Sequence, residues 1–203
     1  MIEPRKESQP PSRGTARRTR RPRGSLTPEV ILDAAEALTA EGFDAITVRS
    51  VAARLGAAPM ALYNHFATKD ELVDALLDRV LGRFQPQPET GDWVEDLRAF
   101  ARAHRSVLTG HPWAVAPIFS HPNPGPSALR IGEHALAILA RGGLPDDHAV
   151  AAFSGILALN YGWSSFTAAR DLDATGAVAA QMGAYGSDEH YEFVLDHLVG
   201  GLG

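Results

Sequence analysis

Apolar residues recur at three- and four-residue spacing from Pro28 onward, and Gly and Pro positions interrupt the pattern. Val30, Ile31, Ala34, Ala35 and Leu38 form a first stripe, predicting an amphipathic helix over 28–41. Thr27 caps it, Pro28 occupies its first position where no N–H is needed, and Gly42 ends it. Phe43 and Ile46 then fall into a small three-helix core. Val48, Val51, Ala52 and Leu55 form a second stripe behind the capping residue Thr47, and Gly56 stops that helix. Pro59 opens a third helix, in which Leu62 and Phe66 face the same way as the second stripe. That leaves Met60, Ala61, Asn64 and His65 toward solvent, with Tyr63 at the flank. Thr68 to Glu71 reads as a Thr-x-x-Glu capping box. The helix it opens runs from Lys69 to about Phe84 and buries Leu72, Val73, Leu76, Leu77 and Val80. Pro86, Pro88 and Gly91 mark a boundary.

A second block of helices follows. Asp92 caps a helix carrying Trp93, Leu97, Phe100, Ala101, His104 and Leu108, broken by Gly110 and Pro112. Trp113–Phe119 is a short apolar helix, and Ser120–Pro126 a Pro-rich loop. Ser127–Ala140 is amphipathic through Leu129, Leu136, Ile138 and Leu139. The segment from Asp146 or Asp147 to about Ala169 is apolar almost all round: Val150, Phe153, Ile156, Leu157, Leu159, Tyr161, Trp163 and Phe166. A helix without a polar face must be covered on every side, and a partner subunit is the natural cover. Residues 170–187 read as a loop with a short helical piece. A last helix, 188–202, carries Tyr191, Val194, Leu195, Leu198 and Val199. The 147–169 and 188–202 helices are therefore expected to pair with their copies in a homodimer, as a four-helix bundle. The fold class is all-α.

Composition changes this picture little, and charge changes it more. The 203 residues contain no cysteine, which excludes disulfides, thiolate metal sites and a cysteine nucleophile and fits a cytoplasmic protein. No apolar run approaches the roughly 20 residues of a membrane helix. Residues 1–25 hold eight Lys+Arg against two Asp+Glu, whereas the remainder holds 11 against 22. A basic arm thus precedes an acidic body, so only one end suits a polyanion. The arm lacks apolar residues to bury and is expected to be disordered alone. Its Arg17, Arg18, Arg20, Arg21 and Arg23 suit phosphates or a minor groove.

The paired helices at 47–66 have the spacing of a helix-turn-helix, although an ordinary helical hairpin would share it. A protruding short helix fits the major groove of B-DNA. The exposed face mixes small, amide, imidazole and phenol groups, where a structural surface helix more often carries Glu and Lys. The motifs Ala40-Glu41-Gly42-Phe43, Thr47-Val48-Arg49-Ser50-Val51-Ala52, Leu55-Gly56, Leu62-Tyr63-Asn64-His65-Phe66 and Lys69-Asp70-Glu71-Leu72 resemble the DNA-binding domain of the TetR (tetracycline repressor) family. His111-Pro112-Trp113, Gly125 to Leu129 and Tyr191 to Asp196 resemble its tetracycline-repressor-type C-terminal domain.

The resemblance implies a helix-turn-helix domain over 26–72, a linker helix to about 85, and a ligand-binding and dimerisation domain over 92–203. It also implies roles. Pro59, Met60 and Asn64 would face base edges. Thr47, Tyr63, His65 and Lys69 would bind phosphates of double-stranded operator DNA, and Arg49 would serve either purpose. Ala57, Ala58 and Ala61 offer little hydrogen bonding, which shifts weight to DNA shape or the arm.

Members of this type carry a small-molecule effector in the body. Candidates to line its site are Phe100, His104, Trp113, Phe119, His121, Asn123, His134, Asn160, Tyr161 and Trp163. Around Ala116–Pro122 there is no counterpart of the metal-coordinating His and Thr-Arg pair of tetracycline-binding members. His104, His111, His121 and His134 lack tight metal-ligand spacing, so neither a metal nor a cofactor is expected. The chain has no Gly-rich phosphate loop, Gly-x-Ser-x-Gly elbow or His-Glu-x-x-His, which argues against an enzyme. The expected function is a ligand-released repressor. An activator, or a regulator without an effector, would share the same head.

Overall fold

Thr27 and Pro28 start the first helix as anticipated, and the rest of the chain follows as helices joined by short turns. The computed structural model describes residues 26–121, 125–168 and 187–202. Nine α-helices lie among them: α1 Pro28–Leu38, α2 Val48–Leu55, α3 Pro59–Tyr63, α4 Lys69–Leu81, α5 Trp93–Gly110, α6 Pro112–Ser120, α7 Pro126–Arg141, α8 Asp146–Ala168 and α9 Asp188–Gly200. The arm arginines Arg17, Arg18, Arg20, Arg21 and Arg23, Asn123 and nearly all of the 170–187 loop lie outside the described residues.

Helices α1–α3 form a head with one side of α4. Its core holds Ile31, Ile46, Val51, Leu62, Phe66, Leu72 and Leu76. Helices α5–α9 form a body around Leu97, Phe100, Leu108, Ile138, Ile156, Tyr191 and Leu195, which the other side of α4 joins through Val73, Leu77, Val80 and Leu81. Alternate faces of one amphipathic helix thus seal two cores. Phe43 and Trp113 pack against both. Arg79 and Arg83 of α4 tie back to α1, Arg79 through Asp33 and Arg83 through Glu36 at 2.5 Å.

Several local expectations shift. The first helix leaves α geometry at Leu38 and finishes as a tighter 3-10 turn over Thr39–Glu41. Helix α3 ends at Tyr63, so Asn64 is its cap, and Phe66 reaches the core from a final turn closed by its N–H to Leu62 O at 3.0 Å. At α4, Thr68 accepts from Glu71 N–H at 3.0 Å, but the Glu71 carboxylate takes the Ala67 N–H, at 2.7 Å. The full capping box lies instead at α2, where Thr47 and Ser50 cap each other. Helix α4 ends at Leu81, not near Phe84. Leu129 lies on the open side of α7, and Ile131, Ala135, Ile138 and Leu139 form the buried stripe.

Candidate functional site

The head presents one coherent polar face. Thr47, Arg49, Pro59, Met60, Tyr63, Asn64, His65 and Lys69 are all exposed, and Met60, at 71%, is the most exposed large apolar residue described. Local chemistry sets this face. Gly56 adopts φ 65° and ψ 25°, a left-handed turn that strains other residues, and it lets α3 leave α2 at an angle. Leu62 (1% exposed) pins α3 from beneath. Thr47 Oγ1 accepts the Ser50 N–H at 3.0 Å and lies 3.0 Å from Ser50 Oγ, so the cap fixes its hydroxyl at the start of α2. Lys69 Nζ sits over the Phe43 ring, 5.6 Å from its centroid, a cation–π contact that fixes the ammonium beside the head core.

The body contains a cavity of about 480 Å³, inside the range of about 300–1,000 Å³ usual for small-molecule sites. Its walls come from α4, α6, α7 and α8. Asp74, Leu77, Asp78 and Leu81 form the α4 wall. Of the expected ligand residues, His121 and Tyr161 line it. Burial raises the Tyr161 phenol above its ordinary value, so it stays uncharged. Phe119 lies against Tyr161, ring centroids 5.2 Å apart. Phe100 and His134 border a separate small crevice with the Asp96–Arg141 ion pair. Trp113 belongs to the joint between head and body. Trp163 donates its indole N–H to Ser187 O at 3.2 Å.

His104 and Asn160 have a different place. Tyr191 of α9 donates its O–H to Asn160 Oδ1 at 2.7 Å. Asn160 of α8 donates to Ala101 O at 2.9 Å and to His104 Nδ1 at 3.0 Å, both on α5. Burial lowers the His104 pKa to about 4, so the imidazole is neutral and able to accept. The three helices are therefore pinned by a satisfied polar network in the core, apart from the cavity lining.

Asp74, Asp78 and Glu133 line the cavity and were not foreseen. Asp74 Oδ1 accepts from His121 Nδ1 at 2.7 Å, and Asp78 Oδ1 accepts from Ser127 N–H at 2.7 Å. Asp78 thereby caps α7, whose own Gly125 has no side chain to do so. A Cβ on Gly125 would stand 2.3 Å from Asp78 Oδ1. An acidic residue beside a buried stripe reads as solvent-facing in sequence, and the spacing of Asp74 and Asp78 on α4 was the available signal. A second groove, between α5 and α9, is lined by Arg102, Arg105, Asp188 and Glu192, whose charges pair with one another at 2.7–2.8 Å.

Comparison with known proteins agrees with both parts. A family model described as bacterial regulatory proteins, tetR family, matches residues 31–76, and one described as tetracyclin repressor-like, C-terminal domain, matches residues 85–170. An HTH-type transcriptional regulator of Saccharopolyspora erythraea is 40% identical over 120 residues, covering 58% of this chain and 51% of the relative. The tetracycline repressor protein class A from transposon 1721 of Escherichia coli is 31% identical over 154 residues, covering 73% and 70%. The crystal structure of ActR from Streptomyces coelicolor in complex with (S)-DNPA has a TM-score of 0.73 at 26% identity, covering 87% of this chain and 96% of that one. The matched region spans about half the length of the first curated relatives. With a head model and a body model falling on the two cores in order, and with 70% of an Escherichia coli tetracycline repressor covered, the chain belongs to the TetR family of bacterial regulatory proteins.

Proposed function

We propose that this chain is a cytoplasmic repressor that binds a palindromic operator as a homodimer and releases it when a small molecule fills the cavity beside α4. The observation that carries this reading is the position of α4. Leu72 and Leu76 close the head, Val73 and Leu77 close the body, and Asp74 and Asp78 face the cavity. A ligand that prefers one placement of α4 therefore biases where the head sits.

Pro59, Met60 and Asn64 read base edges, while Thr47, Tyr63, His65 and Lys69 hold phosphates and Arg49 supports either set. Two copies of α3 about 34 Å apart match successive major grooves. The pairing runs through the 147–169 and 188–202 segments, where Val150 (53% exposed) and Phe193 (63%) stand in water in the single chain. The basic arm adds phosphate contacts. Removing residues 1–22 lowers affinity and flattens its salt dependence. The complex of ActR with (S)-DNPA supports the effector half of the reading by analogy.

The test is to select duplexes from a random pool with the purified chain, and to measure stoichiometry and release by fluorescence anisotropy. Two chains per palindrome, and release by at least one cavity-sized compound, are expected. A chain that stays single in sedimentation and ignores duplex DNA at low salt overturns the reading.

A further inference from the structure

We propose that the cavity selects an organic cation with an apolar, aromatic-sized body, its positive centre held between Asp74 and Asp78 of α4. This rests on the reading that the cavity binds an effector.

The ionisable wall groups point one way. Asp74, Asp78 and Glu133 are carboxylates, and no Lys or Arg lines the cavity. His121 already directs its Nδ1 at Asp74. An anionic ligand would meet three carboxylates, and the one lining group able to carry positive charge, His121, is already turned to Asp74. Asp74 and Asp78 stand one helical turn apart, so they flank one point on the α4 surface. Each is engaged through one oxygen only: Oδ1 of Asp74 by His121, and Oδ1 of Asp78 by the Ser127 N–H. The second oxygen of each has no protein partner among the described residues, which leaves it for a donor from a ligand. A charged donor makes the stronger bond.

Among the described residues no three His, Asp or Glu side chains converge closely enough to hold a metal ion. Leu77, Leu81, Phe153 and Leu157 offer apolar surface, and Tyr161 adds an aromatic ring to the lining. The approximately 480 Å³ volume suits a fused-ring molecule. Such a ligand would act on the transmitting helix. Drawing Asp78 toward itself competes with the α7 cap, and both carboxylates belong to the helix that carries the head.

The test titrates the full chain, without DNA, by calorimetry at mildly alkaline pH with three probes of one ring frame. These are 9-aminoacridine as the cation, acridine as the neutral form and acridine-9-carboxylate as the anion. Saturable binding of 9-aminoacridine, at least about tenfold tighter than either other probe, is expected. Asp74→Asn and Asp78→Asn should each weaken the cation about tenfold and leave acridine within about twofold. Asn keeps an acceptor for Ser127, so the α7 cap survives, and unchanged thermal melts verify the fold of both variants. Acridine or its carboxylate binding as tightly as the cation overturns the proposal, as does cation affinity indifferent to both substitutions, or no binding of the cation. Operator release by neutral acridine in those cases would leave the repressor reading standing, so the two failures separate.

Discussion

In the head, the large apolar side chains of α1–α4 find cover within their own chain: Ile31, Ile46, Leu62 and Leu72 are at most 1% exposed, and only Met60 and Tyr63 stand out, both on α3. In the body, α8 and α9 bury Ala149, Ala152, Ile156, Tyr191, Leu195 and Val199 but leave Val150, Phe193 and Val194 exposed. Burying a side chain of that size is worth about 1.5–3 kcal/mol. The head thus leaves large apolar surface open only on α3, whereas the body leaves it open on α8 and α9, the segments proposed to pair with a second copy. One region covers its large apolar side chains within the chain, and the other leaves several of them uncovered.

The largest effect comes from breaking the open face. Phe193→Asp combined with Val150→Asp should give monomers in sedimentation and lower operator affinity by about 10²–10⁴-fold, because the second head no longer binds at high effective concentration. A persistent dimer would move the interface elsewhere. Trp163→Asp asks a less clean question, because that indole bonds to Ser187 O and packs on the Tyr191 ring inside the chain. Next in size, Leu62→Ala opens a cavity under α3 and should cost about 2–5 kcal/mol. DNA binding should fail while the dimer persists. If tryptophan fluorescence, which reports the body through Trp93 and Trp163 and the joint through Trp113, lost its whole transition in step, then α4 would make head and body one cooperative unit.

The third effect separates the regions by pH. His104 titrates at about 4 in the folded body because it is buried; once unfolded it titrates near 6.5. Between those values the unfolded chain binds the extra proton, so the stabilisation is complete above about 6.5 and is lost as pH falls toward 4. The full drop is worth on the order of 3 kcal/mol. Urea unfolding followed by tryptophan fluorescence should show this slope, and His104→Leu should flatten it. An unchanged slope in the variant would assign the acid sensitivity to carboxylates instead.

Much of this was readable before any coordinates. Helix positions followed from apolar spacing, because Ile31, Val51 and Leu72 each sit in a stripe that only a helix lines up. Exposed Met60, Asn64 and His65 followed from the same arithmetic, whereas Thr47, Arg49, Pro59 and Lys69 came from the resemblance to the TetR family. The cavity did not follow. Phe100, His104 and Asn160 look like ligand groups in sequence, yet they sit in the interior because α5, α8 and α9 close over them. Asp74 and Asp78 look like a solvent face, yet α7 lies across from them. Leu129 looked like core for the same reason, that periodicity names a face without saying what stands opposite. Tertiary partners decide such cases, and spacing carries no record of them.

The smallest effects test the head alone. Asn64 is the cap of α3, exposed, and offers both a donor and an acceptor. Asn64→Ala removes that pair while leaving the dimer intact. The expected loss is about 1–3 kcal/mol, confined to one base pair of each half-site, and visible as relaxed preference there in a selection experiment. Tyr63→Phe removes only a hydroxyl assigned to phosphate. It should weaken all duplexes alike, by about 0.5–1.5 kcal/mol, with no change in preference. The contrast matters more than either value, because Ala57, Ala58 and Ala61 give the short helix few other means of reading bases. Uniform weakening by both variants would mean that α3 only positions the protein and that groove shape or the arginine arm supplies the discrimination.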